Sequence, residues 1–460
     1  MESLFFLVIF ALSSVMAYRV EIPKRFERVV QLPVSKSVAA RVLVINALSL
    51  FKYKDGRFGS SCDSMGDKAG LTQSGECSLG DSLGGSSSIL EKQLFTAPQC
   101  DDIRILAKAL TSGDDCIDVE GSGTAMRFLT AFFACCEGRI VTLGGNERMR
   151  QRPIGPLVDA LRQMGASIHY LGNEGFPPLK INGKRLHGGS LSINGNVSSQ
   201  FISALLMIAP VVGGMTLTLE GEVVSRPYID MTIALMQHYG IDANWKNAES
   251  ECQITVPKGQ YAYSSLSIEA DWSAASYWLA LQALLPESKI TLMGLSASSL
   301  QGDRAIVELM APLGVKAKFD DSKVILLSDK VCHFPASYGC DMAATPDLVP
   351  TLAVTLCLLH VPFTLTGVRN LRIKESDRLR ALREELAKLG YSLVVGNNSL
   401  SYDGNHVQPQ GEVVIDPHGD HRIAMAMSLA ATRHTIIIKD VEVVSKSYPT
   451  WWQELIKKEG

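Results

Sequence analysis

Six short clusters along the chain set Lys or Arg beside Ser, Gly or an acidic residue. The first three are Ser35-Lys36-Ser37 with Arg41, Gly121-Ser122-Gly123-Thr124 with Arg127, and Arg148-Met149-Arg150-Gln151-Arg152-Pro153. Further on come Arg372-Ile373-Lys374-Glu375-Ser376-Asp377-Arg378, Asp420-His421-Arg422 and Ser445-Lys446-Ser447. Such cations bind phosphate and carboxylate through charge-assisted hydrogen bonds, Arg often with two at once. The chain as a whole carries a net charge of only −3, so it lacks the basic surface of a nucleic-acid binder. Cations drawn from the full length of a near-neutral chain predict one cleft that holds small polyanions.

Elements must carry those clusters to one place, and 460 residues are too many for one ordinary core. Two domains are expected. Apolar residues make up 46% and charged residues 20%, an ordinary globular composition. The ten Cys form no C-x-x-C pair, and Cys135-Cys136 sit in an apolar helical run, so buried reduced thiols are expected. Residues 4–15 are apolar, but Met1-Glu2 lacks the positive charge of an export signal. The run is also shorter than the roughly 20 residues that span a bilayer. Residues 1–17 are therefore read as an extension outside the fold, with Met16 as the expected true start.

A repeat positions the clusters. Four amphipathic helical segments, at 156–165, 230–240, 303–314 and 378–390, each end in Gly and run into a β-like stretch. Their glycines, Gly165, Gly240, Gly314 and Gly390, recur 75, 74 and 76 residues apart. Gly just past a helix end is the usual left-handed residue, so a recurring helix–Gly–strand unit is expected. Weaker copies lie at 102–113 and 450–458. The latter has no strand after it, and the N-terminal run at 28–33 is expected to supply one. Residues 52–98 break the pattern with a Ser- and Gly-rich stretch, read as a surface insertion without fixed structure.

The six clusters, in that order, resemble the 5-enolpyruvylshikimate-3-phosphate synthase family of enolpyruvyl transferases. Val197-Ser198-Ser199-Gln200-Phe201, Ser225-Arg226-Pro227-Tyr228, Asp271-Trp272-Ser273 and Pro346-Asp347 add to the match. Each fragment is weak alone; their number, order and spacing make the signal specific. The resemblance runs from about residue 28 to the C-terminus, interrupted by the insertion. It implies an α/β fold of two similar domains, each of three βαβαββ units, with the active site in the inter-domain cleft. Domain 1 would comprise 18–34 plus 270–460, and domain 2 would comprise 35–269.

The implied reaction moves the enolpyruvyl group of phosphoenolpyruvate onto the 5-hydroxyl of shikimate 3-phosphate, by addition and then elimination of phosphate. By the same resemblance, the catalytic groups are Asp347, Glu375, Lys36 and Lys446. Asp347 matches the proton acceptor, Glu375 the group proposed to protonate the methylene, and Lys446 the lysine near the departing phosphate. Lys36, Ser37, Arg41, Ser198, Ser199, Gln200, Ser225, Asp347, Asn370 and Lys374 match the shikimate 3-phosphate positions. Lys36, Gly123, Arg152, Gln200, Arg378, Arg422 and Lys446 match those for phosphoenolpyruvate. His421 has no second His at ligand spacing and reads as a positioning group. No metal and no cofactor are expected. The expected partners are small anionic substrates, without nucleic acid or membrane, for a cytoplasmic monomer.

The chain departs from the family pattern in three places. Val34 stands where Gly usually precedes the Ser-Lys-Ser turn, Ala39-Ala40 replace a polar pair, and Gln151 replaces a common acidic residue. None removes a charged catalytic position. Gly123 keeps the small-residue form that goes with sensitivity to glyphosate. Two rivals are weighed: the sister transferase acting on UDP-N-acetylglucosamine, and a non-catalytic anion-binding relative. The first uses a loop Cys, and no Cys occurs between Arg152 and Cys252; the second would not need Asp347, Glu375 and Lys446 together.

Overall fold

The structure is a computed structural model that describes residues 9–12, 15–50, 52–54, 57–59, 100–248, 251–329 and 333–456. Most of the 52–98 stretch lies outside them; its described part is an antiparallel ribbon of Lys52–Lys54 with Arg57–Gly59. The chain divides into two compact units, Met1–Lys36 with Ile268–Gly460, and Ser37–Ser267.

Five four-stranded sheets repeat one topology, in which two parallel strands are followed by an antiparallel pair. In the Ser37–Ser267 unit, one sheet runs Cys116–Asp118, Ile140–Gly144, Leu179–Asn182, Ser167–Tyr170. The other runs Gly189–Asn194, Met215–Glu220, Glu251–Val256, Asn244–Ala248. The second unit holds three such sheets. They begin with Glu27–Gln31 beside Lys289–Met293, Tyr338–Asp341 beside Phe363–Thr366, and Val413–Ile415 beside Ile436–Lys439. A parallel pair needs a crossover, and in every sheet a helix lies between the two strands in sequence or across the chain's return.

The last of these sheets corrects the expected pairing. Residues 28–33 do not follow the terminal helix Trp451–Ile456; Glu27–Gln31 instead opens the sheet at Lys289–Met293. The closing hairpin is Ile9–Leu12 with Val15–Val20, the latter antiparallel to Ile436–Lys439. Residues 1–17 are thus not outside the fold: they include part of a strand whose Ala17 and Val20 are buried. The helices Lys36–Ser49 and Asp101–Thr111 have no four-stranded sheet of their own among the described residues.

All four repeat glycines adopt left-handed backbone, with φ of 95° at Gly165, 86° at Gly240, 83° at Gly314 and 87° at Gly390. Between the parallel strands lie helices of another kind. Every residue of Gly123–Ala134, Val349–Leu358 and His421–Ser428 is buried, as are nearly all of Ser199–Ile208 and Trp272–Leu284. A helix apolar on all sides belongs in the middle of a core, with only its ends available for chemistry. Where the chain passes between units, an antiparallel bridge joins Val34 to Ala270. Ser35 N donates to Glu269 O at 2.8 Å, and Asp271 N to Pro33 O at 2.9 Å. The described cysteines are all free, and Cys116, contrary to expectation, is exposed.

One aromatic cluster makes stability depend on pH. The rings of His360 and His434 lie 5.0 and 5.7 Å from that of His406, and His434 Nε2 is 3.0 Å from the Tyr391 hydroxyl. Burial, then the charges of His406, His360 and Arg433, lower His434 to about 4; burial and the same kind of neighbours lower His360. The unfolded chain takes up those protons near pH 6.5, before the folded one, so their contribution falls as pH drops from about 6.5 to 4. His434→Gln, which keeps an acceptor for Tyr391, is expected to narrow the gap between urea midpoints measured at pH 7 and pH 5.

Candidate active site

Buried and amphipathic helices alike carry sequence-predicted residues at their N-terminal ends, where free N–H groups and the helix dipole favour anions. In the Met1–Lys36/Ile268–Gly460 unit, Arg378 starts the helix Arg378–Lys388 and is 1% exposed. Its Nε donates to Asp420 Oδ2 at 2.8 Å, Nη1 to Asp347 Oδ1 at 2.9 Å and Nη2 to Glu375 Oε2 at 2.8 Å. Arg422 Nη2 donates to the other Asp347 oxygen, Oδ2, at 2.8 Å. Lys374 Nζ lies 3.5 Å from Asp347 Oδ1, and Lys446 Nζ lies 3.9 Å from Glu375 Oε1. Asp347, Lys374, Glu375, Arg378, Arg422 and Lys446 therefore form one ionic network.

The network sets the charge state of Asp347. Burial pushes its carboxyl up, but Arg422, Lys374 and Arg378 outweigh that and hold it well below the usual carboxylate range. Arg378 is held more firmly protonated: burial opposes its charge, while Asp420, Glu375 and Asp347 favour it. His421 is fully buried, and neither ring nitrogen has a hydrogen-bond partner. Burial, then the charges of Lys36 and Arg422, keep its imidazole well below 6.5, so it is neutral. The field of Lys36 at His421 ties that lysine to the same region. Lys36 N also donates to Asp271 Oδ2 at 3.2 Å. Asn370 has a buried Oδ1 that accepts no hydrogen bond.

The Ser37–Ser267 unit carries the remaining predicted residues in two groups. In one, Gly123 opens the helix Gly123–Ala134 behind the cap Ser122, whose hydroxyl accepts from Ala125 N. A Cβ at Gly123 would lie 2.5 Å from Nη1 of both Arg127 and Arg152, so only Gly lets these guanidinium groups sit against the helix end. Gln200 Nε2 donates to Thr124 Oγ1 at 3.0 Å, which joins the turn at Ser198 and Ser199 to the Gly123 turn. Ser198 caps its helix by accepting from Gln200 N.

In the second group, Arg41 is 2% exposed and uses four donors on protein acceptors: Ser37 O, Thr232 Oγ1, Ser203 Oγ and Tyr228 O. Burial lowers it to about 10, against the opposing pull of Tyr228. Ser225 precedes the helix Arg226–His238 in left-handed conformation, φ 54°, and its side chain does not cap that helix. A non-Gly residue held there, with its hydroxyl not used as a cap, is the kind of strain found at binding sites.

A family model described as EPSP synthase (3-phosphoshikimate 1-carboxyvinyltransferase) matches residues 99–455. The 3-phosphoshikimate 1-carboxyvinyltransferase of Bacteroides fragilis is 43% identical over 445 residues, covering 96% of this chain and 98% of that one. The chain belongs to the EPSP synthase family. A second relative of the same name, from a Marinomonas species, is 36% identical and covers 92% of this chain and 95% of its own. The fold is also that of the solved EPSP synthase of Acinetobacter baumannii, with a TM-score of 0.64 at 20% identity, covering 95% and 97% of the two chains. The enolpyruvyl transferase NikO of Streptomyces tendae aligns with a TM-score of 0.60 at 14% identity, covering 96% and 97%. The chain is thus a two-domain α/β protein of the EPSP synthase family.

No sequence motif marks Asp303 as part of this region, and the partners of Asp420 are not legible from its cluster with His421 and Arg422. Asp420 is fully buried, pairs with Arg378, caps its own helix through Arg422 N and accepts from Ser376 Oγ. Asp303 and Ser273 adjoin Arg422, and Arg127 lies beside Gly123. Among the described residues no group of three or more His, Cys, Asp or Glu could hold a metal ion, and no helix is long and apolar enough to cross a membrane.

Proposed function

We propose that this chain transfers the enolpyruvyl group of phosphoenolpyruvate to the 5-hydroxyl of shikimate 3-phosphate, releasing inorganic phosphate. The hydroxyl oxygen bonds to C2 of phosphoenolpyruvate, losing its proton, while C3 gains one; the product is a tetrahedral phosphoketal. A C3 proton then leaves, the C2–O bond to phosphate breaks, and the enol ether forms. Asp347 takes the hydroxyl proton and Glu375 and Lys446 serve C3 and the leaving phosphate. The observation that carries this reading is the convergence of Arg378 and Arg422 on Asp347 beside the Glu375–Lys446 pair.

The same contacts explain how a strongly held carboxylate becomes a base. An incoming phosphate or carboxylate competes with Asp347 for Arg378 and Arg422. As those charges turn to the substrate, the pull that depresses Asp347 weakens and its basicity rises. Base strength thus develops when phosphoenolpyruvate is bound, which limits unproductive chemistry in its absence. Shikimate 3-phosphate would be held by Ser37, Ser198, Ser199, Gln200, Ser225, Asn370, Lys374 and the remaining donor of Arg41; the unpaired Asn370 Oδ1 supports its place in that set. Lys36, Gly123, Arg152, Gln200, Arg378, Arg422 and Lys446 would hold phosphoenolpyruvate. The protein is proposed to act as a cytoplasmic monomer and to be inhibited by glyphosate.

Gly123→Ala tests the phosphoenolpyruvate assignment. The new methyl must displace Arg127 or Arg152, so the KM for phosphoenolpyruvate is expected to rise at least about tenfold, the loss of roughly one charge-assisted hydrogen bond. The KM for shikimate 3-phosphate should stay within about twofold. The reaction itself is tested by phosphate release from phosphoenolpyruvate with either shikimate 3-phosphate or UDP-N-acetylglucosamine as acceptor. Release with the first alone is expected; release with the second alone would assign the sister activity, and release with neither a binding role.

A further inference from the structure

Beyond the residues assigned above, Arg422 has a second support. Its Nη2 carries two hydrogens that lie in the guanidinium plane and point in fixed directions. One is aimed at Asp347 Oδ2, 2.8 Å away, and the other at Ser273 Oγ, 3.3 Å away. The Ser273 hydroxyl in turn donates to Asp303 Oδ2. We propose that Asp303 is a positioning residue of this site, holding Arg422 in register with Asp347 through the Ser273 hydroxyl.

The placement of each member fits such an arm. Ser273 lies in the first turn of Trp272–Leu284, whose cap Asp271 accepts from Ala274 N at 3.1 Å and also from Lys36 N. Its position is therefore fixed by the same turn that holds Lys36. Asp303 sits in the turn Gly302–Ala305 and is 3% exposed. Its side chain does not cap that turn, because the capping position is Gln301. For stability alone the site is a poor one for a carboxyl: burial and the Asp347 charge push it up to about 6, against the pull of Arg422 and the Ser273 hydrogen bond. A strained carboxyl next to the site's own ions is a mark of function. Without the arm, Arg422 keeps Asp347 as a partner but loses the second direction that fixes its plane, and an unfixed guanidinium binds an anion less well.

The inference rests on the proposed reaction, in which Arg422 holds phosphoenolpyruvate. Its test is steady-state kinetics of Asp303→Ala, Ser273→Ala, the double variant and Asp303→Asn, with melting temperatures as a control for folding. Asp303→Ala and Ser273→Ala are each expected to raise the KM for phosphoenolpyruvate about tenfold, and the double variant about tenfold rather than a hundredfold, because both cut one arm. The KM for shikimate 3-phosphate should stay within about twofold, and Asp303→Asn, which keeps an acceptor for the hydroxyl, should recover most of the loss. Equal rises in both KM values, a multiplicative double variant, or a lower kcat with unchanged KM would overturn the proposal. A wild-type protein without turnover would refute the reaction rather than the arm. Calorimetric titration of phosphoenolpyruvate, with shikimate 3-phosphate present, then decides the arm: weaker binding by Asp303→Ala supports it, and equal or absent binding overturns it.

Discussion

Asp347→Asn is expected to lower kcat about a thousandfold, within the usual range for loss of a positioned general base. The amide keeps the size of the carboxylate and one acceptor oxygen, so Arg422 can retain a partner. It cannot take the proton of the 5-hydroxyl, and its NH2 would face Arg378 Nη1 or Arg422 Nη2, both donors now bonded to Asp347. The KM for phosphoenolpyruvate should change far less than kcat, or fall, since the substrate no longer competes with a carboxylate for the two arginines. Stopped-time assays of phosphate release, with circular dichroism to confirm folding, measure this. A variant with near wild-type kcat would remove Asp347 from the acid–base role.

Arg378→Met should be the most destabilising single change in the ionic network. Arg378 is bonded to Asp420, Asp347 and Glu375, of which Asp420 is fully buried. Removing one partner of a buried pair typically costs about 3–5 kcal/mol, because the other charge is left uncompensated. The size of the loss should depend on pH. In the wild type, Asp347 has a folded-state value below its unfolded one, so its stabilisation is present above about pH 4 and is lost as pH falls further. In the variant, buried carboxylates that have lost Arg378 ionise less readily, so the loss relative to wild type should shrink as pH falls from 7 toward 5. Urea unfolding at those two pH values tests both the loss and its pH dependence. A loss below about 1 kcal/mol, or a loss relative to wild type that is as large at pH 5 as at pH 7, would contradict this network.

Much of the site could be read before any coordinates because its cations occur in short runs. Lys374, Glu375 and Arg378 are close in sequence and end up within one ionic network, and the repeat glycines mark helix ends that all take the left-handed form. The acidic partners were harder to see. Asp303 and Asp420 contact arginines 119 and 42 residues away or their bridging serine, and nothing in a single sequence marks such distant pairing. The buried helices that carry part of the site are also less legible than the outer ones. Their apolar residues go all the way round, so they lack the 3.6-residue alternation that identified the four amphipathic segments. Arg41 illustrates another limit: its type suggested an anion ligand, but most of its donors serve Ser37, Ser203, Tyr228 and Thr232. The closing hairpin at Ile9–Leu12 and Val15–Val20 was missed because a short apolar run fits a strand and a targeting segment equally well.

The fate of one oxygen atom separates enolpyruvyl transfer from attack at phosphorus. Phosphoenolpyruvate labelled with 18O at the bridging position would be turned over with shikimate 3-phosphate, and the products separated and weighed by mass spectrometry. Addition–elimination breaks the bond between C2 and the bridging oxygen, so the label should appear in inorganic phosphate alongside an enolpyruvyl ether of shikimate 3-phosphate. Label found in pyruvate, with unlabelled phosphate and unchanged shikimate 3-phosphate, would mean attack at phosphorus and would contradict enolpyruvyl transfer.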